Sequence, residues 1–374
     1  MRVKVERDEL LTALHRVQGI VEKRNTMPSL ANVLLEAKKE GLDISATDLE
    51  LGMRGLYKAT VEEPGSVTFP ARKLYEILKE IKDPEIVMTM TDDCLVTIKA
   101  GRGEFKVVGL PSKDFPPLPA IEREGLIPLP GVGLLQLIRK TLFAVGDNDT
   151  RYVLNGLLIV VTTEGESPMI RLVGTDGHRL AMAEQKLETD AKAPVEQEQK
   201  VIVPKKAAAE IRRLLEEGGD EPMIGFTKNM VIFRKSGLVL TSRLMEGNYP
   251  NYQQVVPKAS NKKITANRED LEGALRRVSV LSQNKSYAVK LTFSKKAITL
   301  FSSHPDMGEA NDEIPAAFTG EEFSAGFNAR YLLDVLGVME SETVVLNMEA
   351  SLSPCLIREE DNPLFQAVVM PVKV

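Results

Sequence analysis

The chain holds three histidines, His15, His178 and His304, and two cysteines, Cys94 and Cys355. General acid–base catalysis would need one of these imidazoles beside a nucleophile and an orienting group. His178 lies two residues from Asp176, the nearest approach to such a set, but nothing in the sequence supplies the nucleophile or the third group. No HExxH, GxSxG, P-loop or Cys/His metal spacing occurs. Gly131 and Gly133 form a lone GVG after prolines, which is not a dinucleotide fingerprint. The cysteines lie far apart without a CxxC, and read as buried small apolar residues in a reducing compartment. The chemistry expected is therefore recognition: no catalytic residue, no metal ligand and no cofactor.

What has to position such residues is set first by size and composition. At 374 residues the chain exceeds what one core usually supports, so two or three domains are expected. Hydrophobic content of 43% and charged content of 27% are those of an ordinary globular protein. The N-terminal MRVKVERDELL alternates charge without an apolar run, so no secretory signal is expected. No uncharged apolar stretch reaches the length of about 18 residues that a membrane span requires. A cytoplasmic location follows as the expectation. The net charge of −5 argues by itself against a conventional nucleic-acid binder, whose surface is normally basic.

Self-similarity organises the rest. FPARKLYEI (Phe69 to Ile77) returns as FNARYLLDV (Phe327 to Val335), with VPKKAAAEI (Val203 to Ile211) between them. Glu76, Glu210 and Asp334 mark the common register, 134 and 124 residues apart. GLPSKDFP (Gly109 to Pro116) matches RLMEGNYP (Arg243 to Pro250) at an offset of 134, and FKVVGLP (Phe105 to Pro111) matches FQAVVMP (Phe365 to Pro371) at 260. Three signposts sharing one spacing indicate a triplicated unit, with domains at residues 1–121, 122–257 and 258–374. Each copy is read as opening with an amphipathic helix: Leu10, Leu11, Leu14, Val17 and Val21 in the first, Leu134, Leu135, Ile138 and Leu142 in the second, Leu271, Leu275 and Val278 in the third. Short strands rich in Val, Ile, Leu and Thr follow, then a second helix and further strands. The fold class expected is α+β, with two helices packed on antiparallel sheet in each copy. PPLPAIEREGLIPLP (Pro116 to Pro130) and VVPKASNKK (Val255 to Lys263) read as linkers, and Glu188 to Lys200 as a loop.

The helices carry the positive charge. Summed over the six, they hold +5, which leaves −10 for everything else. Two readings stand: ordinary solvated helices, or a basic face on an acidic body that touches phosphates without reading sequence. A protein that encircles DNA needs little intrinsic affinity, because topology retains it. A repeat scaffold that binds only proteins would explain the triplication but not the basic helices.

RYVLNGLL (Arg151 to Leu158), TDGHRLA (Thr175 to Ala181), GNYPNYQQVVP (Gly247 to Pro257) and the terminal VVMPVKV (Val368 to Val374) resemble the bacterial DNA polymerase III β sliding clamp family. The resemblance runs the whole length, in order. It implies a non-catalytic processivity factor of the polymerase III holoenzyme: a head-to-tail homodimer, closed as a ring of six similar domains whose helices line the hole. It implies double-stranded DNA as a sequence-independent partner. It also implies docking of the polymerase catalytic subunit, the clamp loader, translesion polymerases and mismatch-repair proteins.

The repeat separates shared structure from departures. Thr175–Asp176 has a counterpart in Thr47–Asp48, which points to a turn common to the fold, whereas Gly177, His178 and Arg179 face Leu49, Glu50 and Leu51. By the resemblance, a peptide-binding pocket takes Leu154, Thr175, Gly177, His178, Arg179, Leu180, Pro250 and Val255 from the second copy. From the third copy it takes Asn328, Tyr331, Val368, Met370, Pro371 and Val372. Read without the resemblance, Leu154, Leu180 and Val255 are equally residues of a core. Gln254 and Val372 stand where relatives often have a basic residue and a Met, and narrow or neutralise the groove rim. The resemblance further implies DNA contact by Arg24, Asn148, Tyr152, Lys205 and Lys206, each otherwise an ordinary surface group. It places Phe105 and Val107 against Val280 and Leu281 at the dimer interface.

Overall fold

The computed structural model describes the chain except for residues 22–26, 92, 120–125, 129, 165–166, 187–197, 258–261, 283–286 and 374. The first copy contains β1 (Arg2–Glu6), α1 (Arg7–Val17), β2 (Asn32–Lys38), β3 (Gly41–Thr47), β4 (Leu51–Tyr57), β5 (Gly65–Pro70), α2 (Ala71–Glu80) and β6 (Gly103–Val108). The second contains α3 (Gly131–Leu142), β7 (Gly156–Glu164), β8 (Ser167–Thr175), β9 (Arg179–Lys186), β10 (Gln199–Pro204), α4 (Lys205–Glu216) and β11 (Leu238–Arg243). The third contains β12 (Lys263–Asn267), α5 (Arg268–Ser279), β13 (Gly308–Phe318), β14 (Phe323–Asn328), α6 (Ala329–Leu336), β15 (Cys355–Glu359) and β16 (Phe365–Val369). Shorter strands complete the sheets. The helix–strand–helix–strand repeat is present three times.

The expectation that each copy opens with a helix is corrected at both ends of the chain. In RVKVE, Val3 and Val5 are buried while Arg2 and Glu6 are exposed, the period of two that makes β1 a strand. KITAN repeats the pattern with Ile264 and Ala266 inward. Both strands end where a helix begins. Asn267 makes the second step by accepting hydrogen bonds from the amides of Glu269 and Asp270, at 2.9 and 3.1 Å.

The step into the second helix is the most uniform feature of the repeat. Phe69, Val203 and Phe327 are each completely buried on the penultimate strand residue, and a helix starts two residues later. Truncating either phenylalanine to alanine removes a buried ring, at a cost of about 3–5 kcal/mol.

The described residues fall into two compact units, 1–131 with 209–244 and 132–208 with 245–374. The middle copy is thus divided. In the first unit, β5-β2-β3-β4-β11 run consecutively within a nine-stranded antiparallel sheet, so that β11 of the second copy extends the sheet of the first, with Ser242 opposite Leu51. A separate five-stranded sheet holds β1 and ends on β6, and α1 packs on α2. In the second unit, β10-β7-β8-β9-β16-β15 run consecutively within a twelve-stranded sheet. There β16 of the third copy extends the sheet of the second, with Val368 opposite Leu180. Helix α5 packs on α6 and on β13.

Candidate functional site

The β8–β9 turn is built by two side chains. The Thr175 hydroxyl donates to the Arg179 carbonyl at 2.6 Å and accepts from the Gly177 amide at 3.1 Å. One Asp176 carboxylate oxygen accepts from the amides of His178 and Arg179, both at 2.9 Å. The β3–β4 turn repeats this with Thr47 and Asp48, whose side chains make the same four bonds to residues 49–51 at 2.7–3.0 Å. The Thr–Asp pair is therefore a structural device of the repeat, as its recurrence implied.

Gly177 has a reason beyond the turn. Its φ of +81° matches that of Leu49, so the backbone conformation is shared. A Cβ on Gly177, however, would lie 2.6 Å from both terminal nitrogens of Arg151. That guanidinium grips Asp149 at 3.0 and 2.9 Å and donates to the Asp176 carbonyl at 2.9 Å. The hydrogen bonds from Arg151 hold the Asp149 carboxyl down at about 2. Glycine is what lets Arg151 lie against the turn.

Beyond the turn, β9 pairs with β16, and the Met370 amide donates to the His178 carbonyl at 2.9 Å. Between these strands and the segments carrying Leu154, Pro250, Tyr252 and Val255 lies a cavity of about 230 Å³. Its floor continues into a buried cluster that includes Leu158, Val160, Val173 and Ile202. Sites for whole small molecules usually span about 300–1,000 Å³. This volume suits one or two apolar side chains of a longer ligand.

Nine of the expected pocket residues line this cavity: Leu154, Thr175, Gly177, Arg179, Leu180, Pro250, Val255, Val368 and Met370. Leu154, Leu180 and Val368 also belong to the core, and Val255 is 40% exposed, so the two readings of these side chains divide residue by residue. The other five, His178, Asn328, Tyr331, Pro371 and Val372, are not part of its lining. The His178 ring stacks on Tyr331 with centroids 6.5 Å apart. The Asn328 side chain caps α6 by accepting from the Arg330 amide at 2.9 Å. Pro371 and Val372 continue past β16, where the Val372 amide donates to Gly326 at 2.8 Å. Arg151 and Tyr252 also line the cavity and were not among the expected residues. Both stand inside the motifs that carried the resemblance. The signal for Arg151 was its place two residues after an acid, beside a turn whose glycine could admit it.

The groups expected to touch DNA are more scattered. Asn148 is exposed, with a φ of +56°, and Tyr152 is 60% exposed. Lys205 starts α4 and donates to the Val145 carbonyl at 3.1 Å, whereas Lys206 is exposed. Arg24 lies outside the described residues. The helical charge excess is partly internal. Lys140 on α3 is 7% exposed and pairs with Glu359 at 3.0 Å, so it cannot belong to a basic surface. At the expected interface, Phe105 and Val280 are 37% and 74% exposed, while Val107 and Leu281 are half-buried. The cysteine reading holds for Cys355, which is fully buried, and fails for Cys94, which is half-buried in a turn with a φ of +60°.

Family models of the DNA polymerase III beta subunit match in three consecutive pieces: the N-terminal domain over residues 1–119, the central domain over 129–251 and the C-terminal domain over 253–373. The Beta sliding clamp of Caulobacter vibrioides (strain NA1000 / CB15N) is 37% identical over 376 residues, with 100% of both chains covered. That of Escherichia coli (strain K12) is 32% identical over 376 residues, again covering 100% of both. The crystal structure of a DnaN sliding clamp (DNA polymerase III subunit beta) from Bartonella birtlesii, bound to griselimycin, superposes with a TM-score of 0.94 at 36% identity over 100% of each chain.

Proposed function

The chain belongs to the DNA polymerase III beta subunit family, and from that premise we propose how its residues divide the work of a sliding clamp. It is a DNA sliding clamp that confers processivity on the replicative polymerase. In our reading two copies close head to tail into a ring around duplex DNA, and the chain itself catalyses nothing. The three domains are residues 1–121, 122–257 and 258–374, and the protein acts in the cytoplasm.

The ring closes where Phe105 and Val107 on β6 meet Val280 and Leu281 of the second copy. Two sheet edges support this. β6 ends its sheet, and residues 308–315 of β13 pair on one side only among the described residues. Open edges of this kind are templates for strand pairing between chains. β13 carries Glu309, Asp312 and Glu313, whereas β6 and the strand beside it carry Lys99 and Lys106 against Glu104. Inside the ring, Arg24, Asn148, Tyr152, Lys205 and Lys206 contact phosphates.

The cavity between β9 and β16 receives the apolar side chains of a short peptide. Such peptides come in turn from the polymerase catalytic subunit, the clamp loader, translesion polymerases and mismatch-repair proteins. Gln254 and Val372 narrow the rim and shift preference among them. The observation that carries the reading is this small apolar cavity, walled by strands of two different copies and built on a turn that the repeat supplies. The test is native mass together with retention on DNA. A two-chain particle, loaded by a clamp loader, should stay on circular DNA and slide from linear ends. A monomer, a trimer or equal retention on both would contradict it.

A further inference from the structure

The acid that marks the repeat register takes a different kind of partner in the third copy. Glu76 pairs with Lys73 on its own helix at 2.7 Å, and Glu210 pairs with Arg213 on its own helix at 2.8 Å. Asp334 on α6 instead reaches back to Arg179 of the preceding copy, at the cavity wall. Arg179 is thereby held on several sides. Asp176 lies 3.1 Å from its Nε, and its guanidinium sits 4.5 Å from the centre of the Tyr331 ring and 5.4 Å from that of Phe143. Tyr331 lies one turn before Asp334, so one face of α6 supplies both the ring and the carboxylate.

The charge balance of this wall is uneven. Its ion pairs involve two cations, Arg151 and Arg179, and three carboxylates, Asp149, Asp176 and Asp334. The Arg179 side chain is 12% exposed, while that of Asp334 is 46% exposed. In this pair the negative end is the exposed one, whereas in the Arg151–Asp149 pair it is the cation, at 55% against 19%, so the wall's one excess negative charge lies on the Asp334 side.

We propose that Asp334 is a specificity-determining residue of the pocket: it fixes Arg179 and keeps the mouth net negative, favouring peptides with a basic flank over those with an acidic one. The proposal rests on the peptide-docking reading of the cavity. Like charges brought together raise the free energy of the wrong partner, and salt screens that discrimination.

The test uses the full chain and two synthetic peptides sharing Leu and Phe anchors, one flanked by lysines and one by aspartates. Binding is read by fluorescence anisotropy at about 50 mM and about 500 mM salt, which brings the screening length from over 10 Å to under 5 Å. The unmodified protein should prefer the lysine-flanked peptide about five-fold at low salt, and less at high salt, as a mouth charge of one unit in a screened setting allows. Asp334→Asn should bring the ratio close to one, and Asp334→Glu should keep the preference. Equal weakening of both peptides by Asp334→Asn, with the ratio intact, would make the residue merely structural and overturn the proposal. Should Asp334→Asn fail to fold, the salt series decides, because a preference unchanged by salt also overturns it. If neither peptide binds the unmodified protein, the docking reading itself fails and takes the proposal with it.

Discussion

The same junction is built twice among the described residues, and the two copies border cavities of different size and lining. Where β4 meets β11, the Arg243 amide donates to the Glu50 carbonyl at 2.9 Å; where β9 meets β16, the Met370 amide donates to the His178 carbonyl at 2.9 Å. Leu30 and Leu154 occupy matching places and are both 1% exposed. The side chains differ where it matters. Leu51 is buried and Arg243 exposed at the first junction, while Arg179 and Met370 line the cavity at the second. The first junction borders a wider groove of about 790 Å³, whose lining includes Lys38, Asp43, Arg54 and Lys235. A backbone template can thus be copied with its hydrogen bonds, while a few substitutions change what lines the space beside it.

The largest contrast to test lies beneath the junctions. Arg16 and Lys140 hold the same position in α1 and α3. Arg16 pairs with Glu217 at 2.8 Å, with side chains 22% and 30% exposed, whereas the Lys140–Glu359 pair is 9% and 1% exposed. Removing one member of a buried pair strands the other charge and costs about 3–5 kcal/mol. A partly solvated pair contributes about 1 kcal/mol. Lys140→Met should therefore lower unfolding free energy several times more than Arg16→Met in denaturant titrations; equal losses would undo the contrast.

The same pair has a pH signature. Burial alone would raise the Glu359 carboxyl, but the Glu340 amide, Lys140 and Asn362 hold it below the ordinary value. A depressed acid contributes stability that is full above its unfolded value of about 4.3 and is lost as pH falls through the folded one. Lys140→Met should flatten that acid-side slope, and a slope left unchanged would place its origin elsewhere.

The turns give a smaller and sharper contrast. Gly177→Ala places a methyl on Arg151 at a positive φ, and should cost about 1–3 kcal/mol and at least ten-fold in peptide affinity. Leu49→Gly at the matching position relieves the same backbone strain, and should change stability by less than about 1 kcal/mol, leaving peptide affinity untouched. Calorimetry of both variants would show whether the two turns are as interchangeable as their hydrogen bonds. Smallest in effect is thiol reactivity. Burial pushes the Cys355 thiol up to about 12, so at pH 8 a maleimide should label Cys94 long before Cys355 in the native protein. Comparable labelling rates would show that the core around β15 opens readily.

How much of this was legible in the sequence depended on the range of each interaction. The Thr–Asp turns could be read because all four hydrogen bonds lie within five residues, and the repeat showed them twice. Phe69 and Phe327 were legible as marks of the repeat, whereas their complete burial at the strand–helix step came from the structure. The strand β1 went unread because its five-residue alternation runs directly into acids that also begin a helix. Lys140 looked like one more surface cation: its burial depends on Glu359, 219 residues away, and no local pattern carries that. Arg151 was passed over for a related reason, because its role is contact with a glycine that has no side chain to advertise the partner. Cys94 looked buried by residue type, and its turn of positive φ holds it partly in solvent instead.

The central claim is that the second junction alone docks a peptide, and binding stoichiometry tests it most directly. Isothermal titration of the lysine-flanked Leu/Phe peptide into the full chain should give one site per chain. That site should vanish when Met370 to Val374 are removed, with the protein still dimeric by sedimentation, and should be indifferent to Leu49→Gly. Two sites per chain, or undiminished affinity after the truncation, would contradict it.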